Sequence, residues 1–490
     1  MLELLKKEAN KTYTENGAVT YISTMSDCLD LFATIGAMRK ASDNEIINRF
    51  IKAFAENPDY AIKILFYARD IRGGLGERKL FKTVLRYLAE NEPEVVEKNM
   101  KYIQEYGRFD DLLVLIDSPC EDKLIDYYRE QLDKDVKAAN EGKEISLLAK
   151  WMPSINTSDA DRVALAKRLA RKMGYSAASY RKTLSFLREQ IKIIENNMRM
   201  KDYSFEYERQ TSKSLYKYRQ AFIRNDAKRY REFLDRSAED HSVMHTGTLT
   251  PYEVVAPIVD VNNRTKKFTK DERNALDVTW NALENYVGSE NAIAVVDGSG
   301  SMYWDGKPSP AAVAQSLGIY FAEHNTGVFK NHFITFSSRP QLVKIKGKDI
   351  VDKMNYCMSF NECSNTNIEA TFDLILKTAV KNKLKQEELP TKLYIISDME
   401  FDQCAENSTL TNMENAKRKF ESKGYILPQI VFWNVSSRNR QQPVKMDEKG
   451  VILVSGCTPQ VFSMVKEDCL DPYHFMIEVI SSKRYEKIAI

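Results

Sequence analysis

Long hydrophobic runs are missing from this 490-residue chain. No apolar stretch approaches the ~20 residues that a membrane-spanning helix needs, so no membrane partner is expected. Cysteine is sparse: seven residues, at 28, 120, 357, 363, 404, 457 and 469, with no Cys-x-x-Cys pair. An odd, scattered set argues against a disulfide framework or a zinc site and suits reduced thiols in the cytoplasm. Histidine is scarcer still, with five residues. Only His241 and His245 have helical i,i+4 spacing, and no glutamate follows the first, so the zinc-protease pattern is absent. No phosphate-binding glycine loop and no nucleophile–base set is visible. The charged start, Met1-Leu-Glu-Leu-Leu-Lys-Lys-Glu8, is unlike a secretory signal.

What is present is globular in character: 43% hydrophobic and 29% charged residues. The length exceeds that of one ordinary domain, so two or three are expected. Net charge is only +3, but it is unevenly placed. Between Arg162 and Glu232 there are 19 Lys and Arg against 7 Asp and Glu. That one segment is strongly basic and the remainder of the chain is net acidic.

The first half reads as helices. Apolar residues recur at helical spacing over Glu45–Ala55, Asp59–Asp70, Glu77–Glu90, Pro93–Glu105 and Phe109–Ile116, with short links and few strand signals. Such a series suggests stacked helical hairpins, although no strict repeat period exists. Residues 1–20 read as a polar loop. In the basic segment, helices are expected over Arg162–Met173, Tyr180–Met200 and Arg209–Leu234. Arg181, Lys182, Arg188 and Lys192 lie off the apolar stripe of the second. Lys213, Lys217, Arg219, Arg224, Lys228 and Arg229 belong to the third, with Tyr216, Tyr218 and Tyr230 interleaved. Clustered cations with aromatics can grip phosphates and stack bases, which makes these ten residues candidate RNA contacts. The plainer reading is a solvated helical face.

Beyond Val287 the period changes. Short apolar runs at Ala292–Val296, His332–Phe336, Leu393–Ser397, Ile430–Val435 and Val451–Val454 alternate with helical stretches. This is the pattern of a doubly wound parallel sheet. The first run ends in Asp297-Gly-Ser-Gly-Ser301. A carboxylate and two hydroxyls on a loop at a strand's C-terminal end suit a small hard cation, Mg²⁺ or Mn²⁺. A polar strand-to-helix turn is the bland alternative. The Asp-x-Ser-x-Ser spacing resembles the metal-ion-dependent adhesion site of von Willebrand factor A (vWA) domains. That resemblance adds Thr366 and Asp398 to the metal set Asp297, Ser299 and Ser301.

Longer strings extend the likeness: Arg69-Asp-Ile-Arg-Gly-Gly-Leu-Gly-Glu-Arg78, His245-Thr-Gly-Thr-Leu-Thr-Pro-Tyr-Glu-Val254, His332-Phe-Ile-Thr-Phe-Ser337 and Ser397-Asp-Met-Glu-Phe-Asp402. Together with Asp297–Met302 they resemble an uncharacterised family of helical-plus-vWA proteins. That family is similar in plan to the TROVE proteins, the Ro ribonucleoprotein autoantigens. The resemblance implies a HEAT-like helical-repeat domain over 1–285, closing into a ring, and a Rossmann-like vWA domain over 286–490. It further implies binding of small structured RNAs and single-stranded RNA ends. Where relatives have Asn-Thr-Asp, this chain has Asn365-Thr366-Asn367, one negative charge fewer.

Three functions are therefore open. The first is a non-enzymatic RNA-binding scaffold with a Mg²⁺-bearing vWA domain. The second is a protein-interaction module whose metal captures a partner's carboxylate. The third is a metal-dependent hydrolase with Glu400 or Asp402 as base.

Overall fold

The computed structural model describes the chain except for residues 192, 260–266, 304–307, 362–365, 404–409 and 466–468. It forms two compact units. One unit comprises 1–68, 73–75 and 207–485; the other comprises 69–72, 76–206 and 486–490. Helices from both ends of the first half thus belong with the sheet.

In the sheet unit, β1 (Lys11–Tyr13) and β2 (Val19–Tyr21) make a small antiparallel hairpin. The expected polar loop is therefore structured. The main sheet contains β3 (Ala292–Asp297), β4 (His332–Phe336), β5 (Leu342–Lys344), β6 (Lys392–Ser397), β7 (Gln429–Asn434) and β8 (Val451–Ser455). Its order is β5-β4-β3-β6-β7-β8, parallel throughout except for β5, which runs antiparallel to β4. The central strands are apolar on both faces, as a sheet covered twice requires.

On one face Ile293, Val295, Leu393 and Ile395 meet Phe372 and Leu376 of helix Ile368–Asn382 and Phe420 of helix Asn412–Ser422. On the other lies helix Pro310–His324, buried over nearly its whole length. Its Phe321 ring stands 4.9 Å from that of Tyr394. Gly318 permits this approach, because a Cβ there would lie 2.3 Å from Val296 Cγ2. The chain leaves β3 toward β4 and later returns to β6 on the other side. The gap between the ends of β3 and β6 is thus a topological switch point, the place where α/β sheets bind ligands.

The N-terminal helices are built into this unit. Ser26 caps helix Asp27–Thr34, accepting from the Leu29 N–H at 3.2 Å. The following turn brings Gly36 against β8, where its N–H donates to Ser455 Oγ at 3.0 Å. A Cβ on Gly36 would lie 2.8 Å from the Gly456 backbone. Gly36→Ala is therefore expected to destabilise the sheet unit by about 1–3 kcal/mol. Urea unfolding checks this; an unchanged midpoint would show that the contact can relax.

The other unit is helical. Lys79–Asn91 buries Leu80, Phe81, Val84 and Leu88 along one side. Glu121–Asn140 packs against Ala177–Gln190, which pairs in turn with Ala160–Lys172. Gly174, at φ 81°, ends one helix, and Ser176 starts the next by accepting from the Ser179 N–H. The long helix expected over Tyr180–Met200 is two, Ala177–Gln190 and Ile194–Arg199. Ile191 caps the end of the first and Ile193 the start of the second, and β-branched residues weaken helix propensity. The helix expected over Arg209–Leu234 is also two, Ser212–Asn225 and Ala227–Glu239, parted at Asp226. Among the described residues no helix is long and apolar enough to cross a membrane.

Candidate functional site

At the switch point β3 ends in Asp297 and β6 is followed by Asp398, both buried. Asp297 Oδ1 accepts from the Ser299 N–H at 2.8 Å, which bends the loop back over the strand end. Ser397, which sequence reading did not single out, donates to Asp297 Oδ2 at 2.6 Å. The Ser299 and Ser301 hydroxyls are 3.1 Å apart, and Ser301 donates to Asp398 Oδ2 at 2.8 Å. Four of the five expected ligands are thus linked. Burial, and then the nearby Asp398 carboxylate, push the Asp297 carboxyl up to about 7. Two buried carboxylates whose charges act on each other are what a divalent cation would neutralise.

The donor set is oxygen only, with small hydroxyls beside the acids, and it fits a Mg²⁺-sized ion that keeps waters. Among the described residues no group of three or more His, Cys, Asp or Glu could hold a metal, so the hydroxyls would have to serve. Thr366 is placed differently. Its hydroxyl donates to the Glu400 carbonyl and accepts from Asn16 Nδ2 at 3.1 Å. It supports the loop that follows Asp398.

The β1–β2 hairpin and Arg438 complete the surroundings, and neither was legible as part of the site. Thr14 donates to the Phe401 carbonyl at 2.6 Å, and Asn16 to the Glu400 carbonyl at 2.8 Å. Arg438 reaches Asp398 Oδ2 at 2.9 Å and Glu15 Oε2 at 3.1 Å. Its guanidinium already balances part of the acid charge. Glu400 is tied up as well, accepting from the Glu15 N–H, Asn439 and Gln441.

The basic residues are divided between the two units. Those of 162–206 belong to the helical unit and those of 207–232 to the sheet unit. Arg188, expected to face solvent, is instead a structural tie. Its guanidinium donates to the Ala149 carbonyl at 2.8 Å, to the Met152 carbonyl at 2.7 Å and to Ser154. Burial lowers its pKa. Lys213 pairs with Glu253, Arg229 with Asp226 at 3.2 Å, and Arg219 lies over the Tyr216 ring at 4.0 Å. Lys217 donates to the Tyr218 hydroxyl at 2.9 Å. Tyr230 is buried among Tyr207, Phe222 and Phe233, so it offers no stacking face. Arg181, Lys182, Arg224 and Lys228 are exposed, with no ion pair among the described residues. Lys192 lies outside the described residues.

A second cationic feature was missed. In the helical unit a cleft of about 600 Å³ is lined by Arg78, Lys82, Arg108, Lys150, Arg162 and Arg188, with Asp110 as the one lining carboxylate. Arg108 stacks on the Trp151 indole at 4.1 Å. Beneath it Asp111 is fully buried and binds Arg69 at 2.6 Å. Arg78 and Lys82 approach the same carboxylate at 3.4 and 3.6 Å. Four cations thus share Asp110 and Asp111. These side chains come from separate helices, so no run of basic residues announces them.

Two family models match the chain, each described only as a domain of unknown function. DUF2828 matches residues 14–126 and 175–290, and DUF7788 matches 291–473. The chain is also similar to Uncharacterized protein L728 of Acanthamoeba polyphaga mimivirus. Identity is 27% over 517 residues, covering 96% of this chain and 87% of that protein. Among solved structures it is similar to the crystal structure of the Deinococcus radiodurans RO (RSR) protein. There the identity is 13% and the TM-score 0.48, over 94% of this chain and 99% of the other.

Proposed function

We propose that this protein is a non-enzymatic RNA-binding scaffold whose sheet unit is vWA-like and holds Mg²⁺ or Mn²⁺ at Asp297, Ser299, Ser301 and Asp398. The observation that carries the RNA reading is the cleft of the helical unit, where six basic side chains face one lining carboxylate around an indole. Such an excess of positive charge attracts a polyanion. The exposed Arg181 and Lys182 of the same unit add further positive charge. The Ro-like plan suggested by the sequence points the same way. The non-enzymatic reading is supported by the switch-point serines, which bond to each other and to Asp398, and by Glu400, whose oxygens are occupied by neighbouring donors.

Fluorescence anisotropy with a labelled single-stranded RNA tests this. Affinity should fall steeply with salt, log K losing about 0.7 per phosphate contact per unit log salt. Changing Lys150, Arg162, Arg181 and Lys182, all of the helical unit and the first two lining the cleft, to Glu should weaken binding about tenfold or more and flatten the slope, with an unchanged circular dichroism spectrum. Absent or salt-insensitive binding by the wild type would defeat the RNA reading.

A further inference from the structure

We propose that the outer edge of β5 in the sheet unit is a docking site for an extended acidic peptide, which joins the six-stranded sheet as a further strand. This edge and the cationic cleft belong to different units, and the proposal does not rest on the RNA reading.

β5 is a terminal strand, and β4 is its one strand neighbour among the described residues. On that inner side the Thr335 N–H donates to the Gln341 carbonyl and the Ile345 N–H to the Asn331 carbonyl, both at 2.9 Å. Residues 341, 343 and 345 therefore turn their backbone groups toward β4. By the alternation of an antiparallel ladder, Leu342 and Lys344 turn theirs outward. Among the described residues no partner meets these outward N–H and C=O groups. A row of such groups is a template for another strand.

Charge selects the strand. Between Glu323 and Asp349 the chain has five Lys and Arg, at 330, 339, 344, 346 and 348, and no Asp or Glu. All five are exposed, and none forms an ion pair among the described residues. The acids that follow, Asp349 and Asp352, are already held by Arg273. Lysines on an edge keep like edges apart, so a second copy, bringing five cations against five, is disfavoured. An RNA strand would satisfy the charge but has no peptide groups to complete the ladder. An extended peptide with alternate acids meets both demands. Val343, 2% exposed, points to one face of the sheet and Lys344 to the other. Alternating valine and glutamate would thus set valine beside Val343 and glutamate beside Lys344.

Fluorescence anisotropy on the full chain tests this with a labelled peptide of four valine–glutamate repeats, a matched valine–lysine peptide and oligouridylate as competitor. The acidic peptide should bind about tenfold or more tighter than the lysine one. N-methylation of every second residue, prepared in both phases, should abolish binding in one phase and spare it in the other, because only alternate amides face β5. Hydrogen exchange at the Leu342 and Lys344 amides should slow about tenfold or more in the complex. Lys344→Glu/Lys346→Glu should weaken the acidic peptide about tenfold or more and admit the lysine peptide; both side chains are exposed, so the fold is kept. Leu342→Pro should abolish binding with the lysines intact, since it removes an outward N–H and no bond to β4. Loss of the difference between the two N-methylated phases would reduce the edge to a charge patch and overturn the inference, as would failure of the acidic peptide to bind. Displacement of the peptide by oligouridylate at matching affinity would make the edge a nucleic-acid surface and overturn it as well.

Discussion

Asp111→Ala should lower the stability of the helical unit by about 3–5 kcal/mol, the usual result of stranding a buried charge. The stranded group is the Arg69 guanidinium, whose side chain is 3% exposed and bound to Asp111 at 2.6 Å. Asp111 also accepts from the Arg108 N–H at 3.0 Å, so a backbone donor loses its partner too. Gly107 leaves the pair no slack, because a Cβ there would lie 2.5 Å from Asp111 Oδ2. The double variant Arg69→Met/Asp111→Leu should recover much of the loss, since an apolar pair strands nothing. Denaturant titration followed by far-ultraviolet circular dichroism reads both. A double variant as unstable as the single one would show that the pair matters for something other than charge compensation.

Asp297→Asn should abolish the rise in melting temperature that Mg²⁺ gives the wild type. A ligand at 100 times its Kd stabilises the native state by about 2.7 kcal/mol, and a variant that does not bind gains none of it. Asparagine keeps the shape and the acceptor for the Ser299 N–H while removing the carboxylate charge. Arg438→Ala should act in the opposite sense. Its guanidinium sits on Asp398 Oδ2 at 2.9 Å, and a tethered cation competes with a free one. Titration calorimetry should show tighter Mg²⁺ binding in Arg438→Ala and no measurable heat in Asp297→Asn. Equal Mg²⁺ affinity in Asp297→Asn and wild type would remove Asp297 from the metal set.

Much of the sheet could be read from the residues because fully buried strands leave unbroken apolar runs. His332–Phe336 was bounded correctly to the residue, and the other four main strands differ only at their ends. Strand β5 escaped, since Leu342-Val-Lys344 is an edge with one buried side chain. The hairpin β1–β2 escaped for another reason: what stabilises it lies hundreds of residues away, as in the Thr14 bond to the Phe401 carbonyl. The Asp297, Ser299, Ser301 and Asp398 grouping was legible because each residue stands at or just beyond a strand end. Arg438, on a loop with no such marker, was not.

The basic segment misled in a specific way. Helical periodicity tells where a Cβ points, but a long side chain can carry its charge elsewhere. Arg188 lies off the apolar stripe, yet its guanidinium turns inward to three oxygens. The cationic cleft carried no sequence signal for the converse reason. Arg78, Arg108 and Trp151 are far apart along the chain and come together only through helix packing.

The seam between Gly36 and β8 also bears on biosynthesis. Ser455, which receives the Gly36 N–H, lies 419 residues further along. At about 5–20 residues per second, a ribosome needs roughly 20–80 s to reach it. During that interval helix Asp27–Thr34 can pack on helix Asp43–Glu56, and Phe32 on Tyr67, but the side that meets β8 has no strand to cover it. Ribosome-associated chaperones should therefore engage the nascent chain early and release it only after β8 has emerged.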